Sequence, residues 1–337
     1  MRRGRAVDVK PGTISVVVPA YNAMNVLPGC LTALQHQTCP PDEIIVVDDG
    51  SMDRTAQVAE ESGAIVVRQT HQGPAAARNL GVERARGDLI LFTDADCEPM
   101  TDWVEQMIAP LSDPQIIGVK GAYRTRQRET IARLAQCEFE ERYDLLERNR
   151  QIDFVDSYAA AFRAAALKDI GGFDPSFPYA NNEDVDLSYR LASHGYKLVF
   201  NRQAIVYHHH PATWRKYVRL KITRGYWRMV VYRHHPRKAL NDSYTPQVLK
   251  IQTLLVYPII FFLGLTVIIP SAVIVAAILF CLLLFSALPF AIKVWRAQSD
   301  MMVWAFPFVV MRAWAFAMGV MGGVFGMIWW SAGESRS

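Results

Sequence analysis

Leu89-Ile90-Leu91-Phe92-Thr93-Asp94-Ala95-Asp96 is an apolar run that ends abruptly in two carboxylates one residue apart. Read as a fully buried strand, it delivers Asp94 and Asp96 to the strand's carboxyl end, where a hard divalent cation can be held and can in turn hold a diphosphate. Asp-x-Asp alone is a weak signal. It gains force from three further stretches in a fixed order: a strand ending Pro19-Ala20-Tyr21-Asn22, a strand ending Asp48-Asp49-Gly50-Ser51, and Asn182-Glu183-Asp184.

Upstream of Asp96, short apolar runs alternate with helical patterns. Ile14 to Val18 precedes Val26 to Gln37, Ile44 to Val47 precedes Thr55 to Glu61, and Ala64 to Val67 precedes Ala75 to Ala85. Strands this continuous in Val, Ile and Leu, each followed by a helix, predict an α/β domain with a mainly parallel, doubly wound sheet covered on both faces. Ligands of such sheets sit beyond the carboxyl ends of the strands, so the residues just after each run are the ones to inspect. Ordinary turn and capping chemistry is the plainer use of each: Asp53 can cap the following helix and Asn22 a turn. Several acidic or polar ends on neighbouring strands tip the balance, because crowded carboxylates raise one another's pKa unless a cation or donor fills the gap.

Gly73-Pro74-Ala75-Ala76-Ala77-Arg78-Asn79 starts a helix with Pro in its first turn and small residues behind it, which permits close approach of a ligand to the backbone. Arg78 lies one turn in and faces the same crevice, either as a clamp for a phosphate or base oxygen or as a solvated helix Arg. Further on, Val185 and Tyr189, and Leu187 and Leu191, repeat at i and i+4, so a helix begins near Glu183. Glu183, Asp184 and Asp186 at its start exceed what a cap requires, and a general base held there is one use of the excess.

The 337 residues divide by composition. From Ile251 to Ile292 there is no Asp, Glu, Lys or Arg, room for two membrane-crossing helices with a turn at Pro270-Ser271. A third apolar segment runs from Met301 to Trp330, broken only by Arg312, with Trp304, Trp314, Trp329 and Trp330 suited to interfacial anchoring. Were the last span Ala313 to Trp330, Arg312 would sit at the interface. The basic start Met1-Arg2-Arg3-Gly4-Arg5 is followed by Asp8, Lys10 and Pro11 rather than an apolar core, which argues against a secretory signal. Lys250 before the first span, and Lys293 and Arg296 between the second and third, favour an integral inner-membrane protein with its polar domain in the cytoplasm. The five cysteines show neither paired nor zinc-ligand spacing.

The net charge of +4 conceals an asymmetry: from Leu187 through Asn241 no acidic residue occurs, while Arg215, Lys216, Arg219, Lys221, Arg224, Arg228 and Arg233 gather among Trp214, Tyr217, Tyr226, Trp227 and Tyr232. Directly ahead of a membrane span, such a segment reads as lying on an anionic bilayer surface, with Arg219, Arg224, Trp227 and Arg228 placed for an acceptor or lipid headgroup. Nucleic acid is disfavoured as partner, since no nucleic-acid module precedes the segment. The expected divisions are residues 1–210, a basic aromatic segment at 211–248, and three transmembrane helices at 249–331.

The order of these motifs resembles the family-2 inverting glycosyltransferases of the GT-A fold. Ser15-Val16-Val17-Val18-Pro19-Ala20-Tyr21-Asn22, Ile45-Val46-Val47-Asp48-Asp49-Gly50-Ser51, Ala77-Arg78-Asn79, Asp94-Ala95-Asp96, Gly171-Gly172-Phe173-Asp174 and Glu183-Asp184-Val185-Asp186-Leu187 carry the likeness, over roughly Ile14 to His210. The resemblance implies a nucleoside-diphosphate sugar as donor, a UDP-sugar by preference, with Pro19, Ala20, Tyr21, Asn22, Asp49, Arg78, Asp94 and Ala95 in its pocket. It implies Asp96, with Asp94 nearby, as ligands of Mg2+ or Mn2+, and Asp184, paired with Glu183, as catalytic base. A His after the base often reaches the metal or diphosphate in this family; His208 fits that place best, because it directly ends the Ala204 to Tyr207 run, though strand alternation leaves His209 and His210 open. The implied reaction moves a sugar to a hydroxyl of a lipid-linked or glycolipid acceptor in cell-envelope polysaccharide synthesis. A polyprenyl-phosphate sugar synthase, and a non-catalytic membrane scaffold that kept the nucleotide fold, are the alternatives.

Overall fold

A computed structural model describes residues 12–177, 182–240 and 242–334, with side chains described to residue 326. The basic start Met1 to Pro11 and the Trp329 and Trp330 side chains lie outside the described residues. Two compact units share the chain: one runs to Arg124 and resumes over Arg150–His208, and the other takes Thr125–Asn149 and everything from His209 onward.

The first unit opens with β1 (Ile14–Ala20), α1 (Leu27–Gln35), β2 (Glu43–Asp48), α2 (Thr55–Glu61), β3 (Ile65–Arg68), α3 (Pro74–Arg84) and β4 (Leu89–Thr93). It continues with β5 (Glu98–Pro99), α4 (Trp103–Ile108) and β6 (Ile116–Arg124); after α5 (Thr130–Glu147), which folds with the second unit, come β7 (Ala159–Arg163), α6 (Ala164–Asp169), α7 (Glu183–Ser193) and β8 (Lys197–Tyr207). All eight strands form one sheet in the order β3-β2-β1-β4-β7-β6-β8-β5. The first four are mutually parallel, β7 runs antiparallel to both β4 and β6, β6 and β8 are parallel, and short β5 is antiparallel to β8.

Val16, Val17 and Val18, Ile45 to Val47, and Ile90 to Phe92 are wholly buried, as continuous apolar strands covered on both faces must be. Each such side chain contributes about 1.5–3 kcal/mol by leaving water. Gly81 lets α3 settle onto β1, because a Cβ there would collide with Val17. The parallel register ends β1, β2 and β4 on one edge, and that edge carries Asn22, Asp49, Asp94 and Asp96.

The second unit is helical: α5, α8 (Trp214–His234), α9 (Pro236–Leu240), α10 (Gln247–Leu265), α11 (Ala272–Ser286), α12 (Leu288–Ala297) and α13 (Met302–Glu334). Among the described residues, three stretches are long and apolar enough to cross a membrane: Gln247–Leu265, Ala272–Ala297 and Ser299–Gly326. Pro270 and Ser271 fall in the turn between the first two. Buried Glu138 of α5 ties helices together, accepting from Lys221 Nζ at 2.7 Å, Tyr217 Oη at 2.6 Å and Arg142 at 2.6 Å. Burial disfavours its charge, yet Lys221, Arg142 and Arg312 outweigh that and hold its carboxyl well below the usual range.

Arg312 is held among neighbouring helices. It is only 2 % exposed within α13, donates to Gln252 of α10 at 3.0 Å, lies 3.6 Å from Glu141 of α5, and places its guanidinium over the Phe290 ring. A charge retained between helices is offset by such partners, and here they come from two other helices of the bundle.

Candidate active site

The loops after β1 and β2 are knitted together. Asn22 sits at φ +48°, its N–H donates to Ser51 Oγ at 2.9 Å, and its side-chain oxygen accepts from the Met52 N–H at 2.9 Å. Asp53 caps α2 by accepting from the Thr55 N–H at 3.0 Å. Asn22 and Asp53 therefore carry turn and capping duties. Ala20 is buried, Pro19 half-buried, and Tyr21, 45 % exposed, stacks on His71 with ring centroids 4.2 Å apart.

Asp49 is buried and fully engaged by its own chain: Gln69 Nε2 at 2.6 Å, the Gln72 N–H at 2.8 Å, the Gly73 N–H at 2.9 Å and His71 Nδ1 at 3.0 Å. It organises the loop between β3 and α3 rather than presenting a free acceptor to a base. His71 and Gln72 escaped the sequence reading, although the signal was available: they follow β3 at the same edge of the sheet.

Arg78, expected to face the crevice, is 2 % exposed and bridges two carboxylates instead, donating to Asp94 Oδ1 at 2.9 Å and to Glu183 Oε1 at 2.8 Å. It thereby fixes the end of β4 to the start of α7. Burial raises the Glu183 carboxyl to about 7, with Asp184 adding to the rise and Arg78 opposing it. Burial likewise raises the Asp94 carboxyl, opposed by Arg78 and reinforced by Asp96.

The acidic residues at the head of α7 divide their work. Glu183 is buried against Arg78, and Asp186 is buried against Arg190, whose guanidinium also donates to the Ile170 and Gly172 carbonyls. Asp184 alone is half-exposed, its Oδ2 accepting from the Ser157 N–H at 3.3 Å. Its Oδ1 accepts from the Val185 N–H at 2.8 Å.

Of the three histidines, His208 is the one at the acidic edge: its Nε2 lies 3.4 Å from Asp96 Oδ2 and its ring stacks on Tyr123 at 4.4 Å. His209 is exposed, and His210 is buried in the other unit, bonded to Gln136 and stacked on Phe139. Oxygens of Asp94 and Asp96 and the Cys97 sulfur lie within 4.8 Å of one another. Burial, Asp94 and Asp96 push the Cys97 thiol well above its ordinary value. Three carboxylates, Asp94, Glu183 and Asp184, thus gather around the Arg78 guanidinium, and Asp96 adjoins Asp94 and His208. Hard oxygen donors and an excess of negative charge fit Mg2+ or Mn2+.

Arg219, Arg224, Trp227 and Arg228 lie on α8 in the second unit. Arg219 is exposed, whereas Arg224, Trp227 and Arg228 are half-buried, and the same helix packs through Gly225 onto α13.

A doubly wound half-sheet with acidic strand ends, joined through an Arg to a carboxylate-rich helix start, is the architecture of the GT-A fold. The family model described as Glycosyl transferase family 2 matches residues 15–171. Glycosyltransferase AglE of Haloferax volcanii is 28% identical over 211 residues, 58% of this chain and 66% of its own length. The pre-mycofactocin glycosyltransferase of Mycobacterium tuberculosis is 28% identical over 235 residues, 67% of this chain and 48% of its own. The chain therefore spans 48% to 66% of the length of these relatives. In structure it resembles the mannosyltransferase PcManGT from Pyrobaculum calidifontis, solved with GDP-Man and Mn2+, with a TM-score of 0.64 at 19% identity, covering 94% of this chain and 88% of that one.

Proposed function

We propose that this chain is a membrane-bound, inverting, metal-dependent hexosyltransferase that moves a sugar from a nucleoside-diphosphate sugar to a hydroxyl of a lipid-linked or glycolipid acceptor in cell-envelope glycan synthesis. One observation carries the reading: Arg78 clamps the Asp94 strand end to the helix start that presents Asp184, so a donor site and an accessible carboxylate share one edge of one unit. Glycosyltransferase relatives and the PcManGT complex support it.

In this reading Tyr21, beside His71, offers the base an aromatic face, and Pro19, Ala20 and Asn22 shape the wall behind it. Asp96, Asp94 and His208 would hold Mg2+ or Mn2+, whose charge would offset that of the departing diphosphate. Asp184 accepts the proton of the acceptor hydroxyl as that oxygen attacks the anomeric carbon from the face opposite the leaving group, which inverts the centre. Arg78 and Glu183 orient the two ends of the site without touching substrate. The apolar helices, and the basic face of α8 with Arg219, Arg224, Trp227 and Arg228, suit a lipid-borne acceptor on an anionic cytoplasmic leaflet.

The test incubates purified protein in detergent with Mn2+, a native lipid extract and a panel of UDP-, GDP- and dTDP-sugars. Wild type should release nucleoside diphosphate, from a UDP-sugar by preference, and lose that activity in EDTA. Asp184→Asn should lower turnover by about 10²–10⁴ while calorimetry still registers donor binding. Full activity of Asp184→Asn would remove it as base, and a sugar attached to a lipid phosphate by that variant would favour the polyprenyl-phosphate synthase instead.

A further inference from the structure

Lys120 lies in the middle of β6, paired in register with Ala160 of β7, and its side chain is wholly buried. Its ammonium forms an ion pair with Asp156, donates to Tyr158 Oη at 3.2 Å, and lies 5.2 Å from the Phe154 ring centroid and 5.0 Å from that of Tyr158. All of these partners belong to the short segment 154–158 ahead of β7. Neighbouring β6 positions Val119 and Ala122 are apolar and buried, so sheet packing alone does not call for a cation there. Burying an ion pair is at best neutral for stability compared with apolar residues of similar volume.

The segment that Lys120 grips is the one that holds the head of α7. The Ser157 N–H donates to Asp184 Oδ2 at 3.3 Å, the Val155 N–H donates to Ser188 Oγ at 2.9 Å, and that hydroxyl donates to the Asp184 carbonyl at 2.6 Å. On its other side Tyr158 stacks on Tyr123, and Tyr123 stacks on His208. One buried ammonium is therefore two bonded steps from the Asp184 carboxylate and two stacked rings from His208.

We propose that Lys120 is a positioning residue: paired with Asp156, it fixes segment 154–158 so that the Ser157 N–H aims the Asp184 carboxylate at the acceptor hydroxyl. The inference rests on Asp184 being the base. A displacement of about 1 Å at such a group can cost about 10²-fold in turnover.

Two variants separate positioning from stability. Asp156→Asn keeps an acceptor for the ammonium but removes the charge, and the double variant Lys120→Met with Asp156→Leu replaces the pair by apolar residues. Turnover is read as nucleoside diphosphate release from whichever panel sugar the wild type uses, with thermal melting alongside. Expected is a fall in kcat of about 10- to 100-fold, with donor KM within about twofold and the melting transition of the double variant kept. In an Asp184→Asn background the double variant should add little, because both act through one group. Wild-type kcat in the double variant overturns the proposal, as does loss of the folded state in both variants, which would make the pair a stabilising element. A normal effect of Asp184→Asn alongside unaffected Lys120 variants sinks the positioning role alone. An active Asp184→Asn, or a wild type inert toward every sugar, sinks the base assignment first.

Discussion

At the scale of single residues, the site is a contest of carboxylates for one guanidinium. Arg78 serves both Asp94 and Glu183, but burial first and then Asp184 disfavour the Glu183 carboxylate more than Arg78 favours it, so Glu183 keeps its proton to about pH 7 where an ordinary Glu loses it near 4.5. A carboxyl whose folded pKa is raised binds more protons in the folded state, so stability is fully present below about 4.5 and declines as pH rises toward 7. The span between those values corresponds to about 3 kcal/mol. Melting temperature should therefore fall between pH 5 and 7.5, and Glu183→Gln, neutral throughout, should flatten that slope; an unchanged slope in the variant would return Glu183 to a fully ionised partner of Arg78. Which acidic residue does what was only partly legible in the sequence. Position gave the cluster at the head of α7, but the division among Glu183, Asp184 and Asp186 depends on Arg78 and Arg190, whose side chains the helical pattern does not aim. Asp49 shows the same limit: its four donors come from a loop more than a dozen residues away, and only the fold brings them together.

At the scale of elements, the half-sheet from β1 to β4 was readable because continuous Val, Ile and Leu runs and turn residues agree on one register. The insertion of antiparallel β7 between β4 and β6 was not, since Ala159 to Ala161 pack by smallness and carry no directional signal. Nor was the departure of α5 into the second unit, which is set by Glu138 meeting Lys221 and Tyr217 from far along the chain. The pairing of α8 with α13 has a sharper cause. Gly225 brings the two backbones together, since a Cβ there would sit 2.7 Å from the Phe316 carbonyl oxygen, and a Cβ at Gly319 would collide with the carbonyl of Ile222. Gly323 extends the same contact, giving the small-xxx-small spacing by which membrane helices approach closely. Gly319→Leu should force the helices apart and cost about 1–3 kcal/mol, as overpacking does, whereas Gly264→Leu, with open space around it, should cost little. Paired thermal melts in detergent check this, and equal effects of the two substitutions would show that the glycines of α13 are not what seats α8.

At the scale of the whole molecule, composition disclosed three apolar stretches, but the structure shows that they are not equivalent. The window in α13 is 44% buried within the protein, against 28% and 22% for the other two, because α8 and α10 both cover it. Part of its hydropathy thus serves helix packing, and Arg312, costing about 2.5–3.5 kcal/mol on insertion scales at mid-bilayer, is offset by Gln252 and Glu141. Three crossings, with Lys250, Lys293 and Arg296 on the cytoplasmic side, make a clear expectation for reporter fusions. Green fluorescent protein should fluoresce when fused after residue 240 or 298 and stay dark after residue 268 or 337, and alkaline phosphatase should give the reverse pattern. A bright fusion at 337 together with a bright one at 298 would mean that α13 does not cross but lies along the membrane surface beside basic α8. The count would then be two, and the acceptor would be met by a helical pair lying flat on the leaflet.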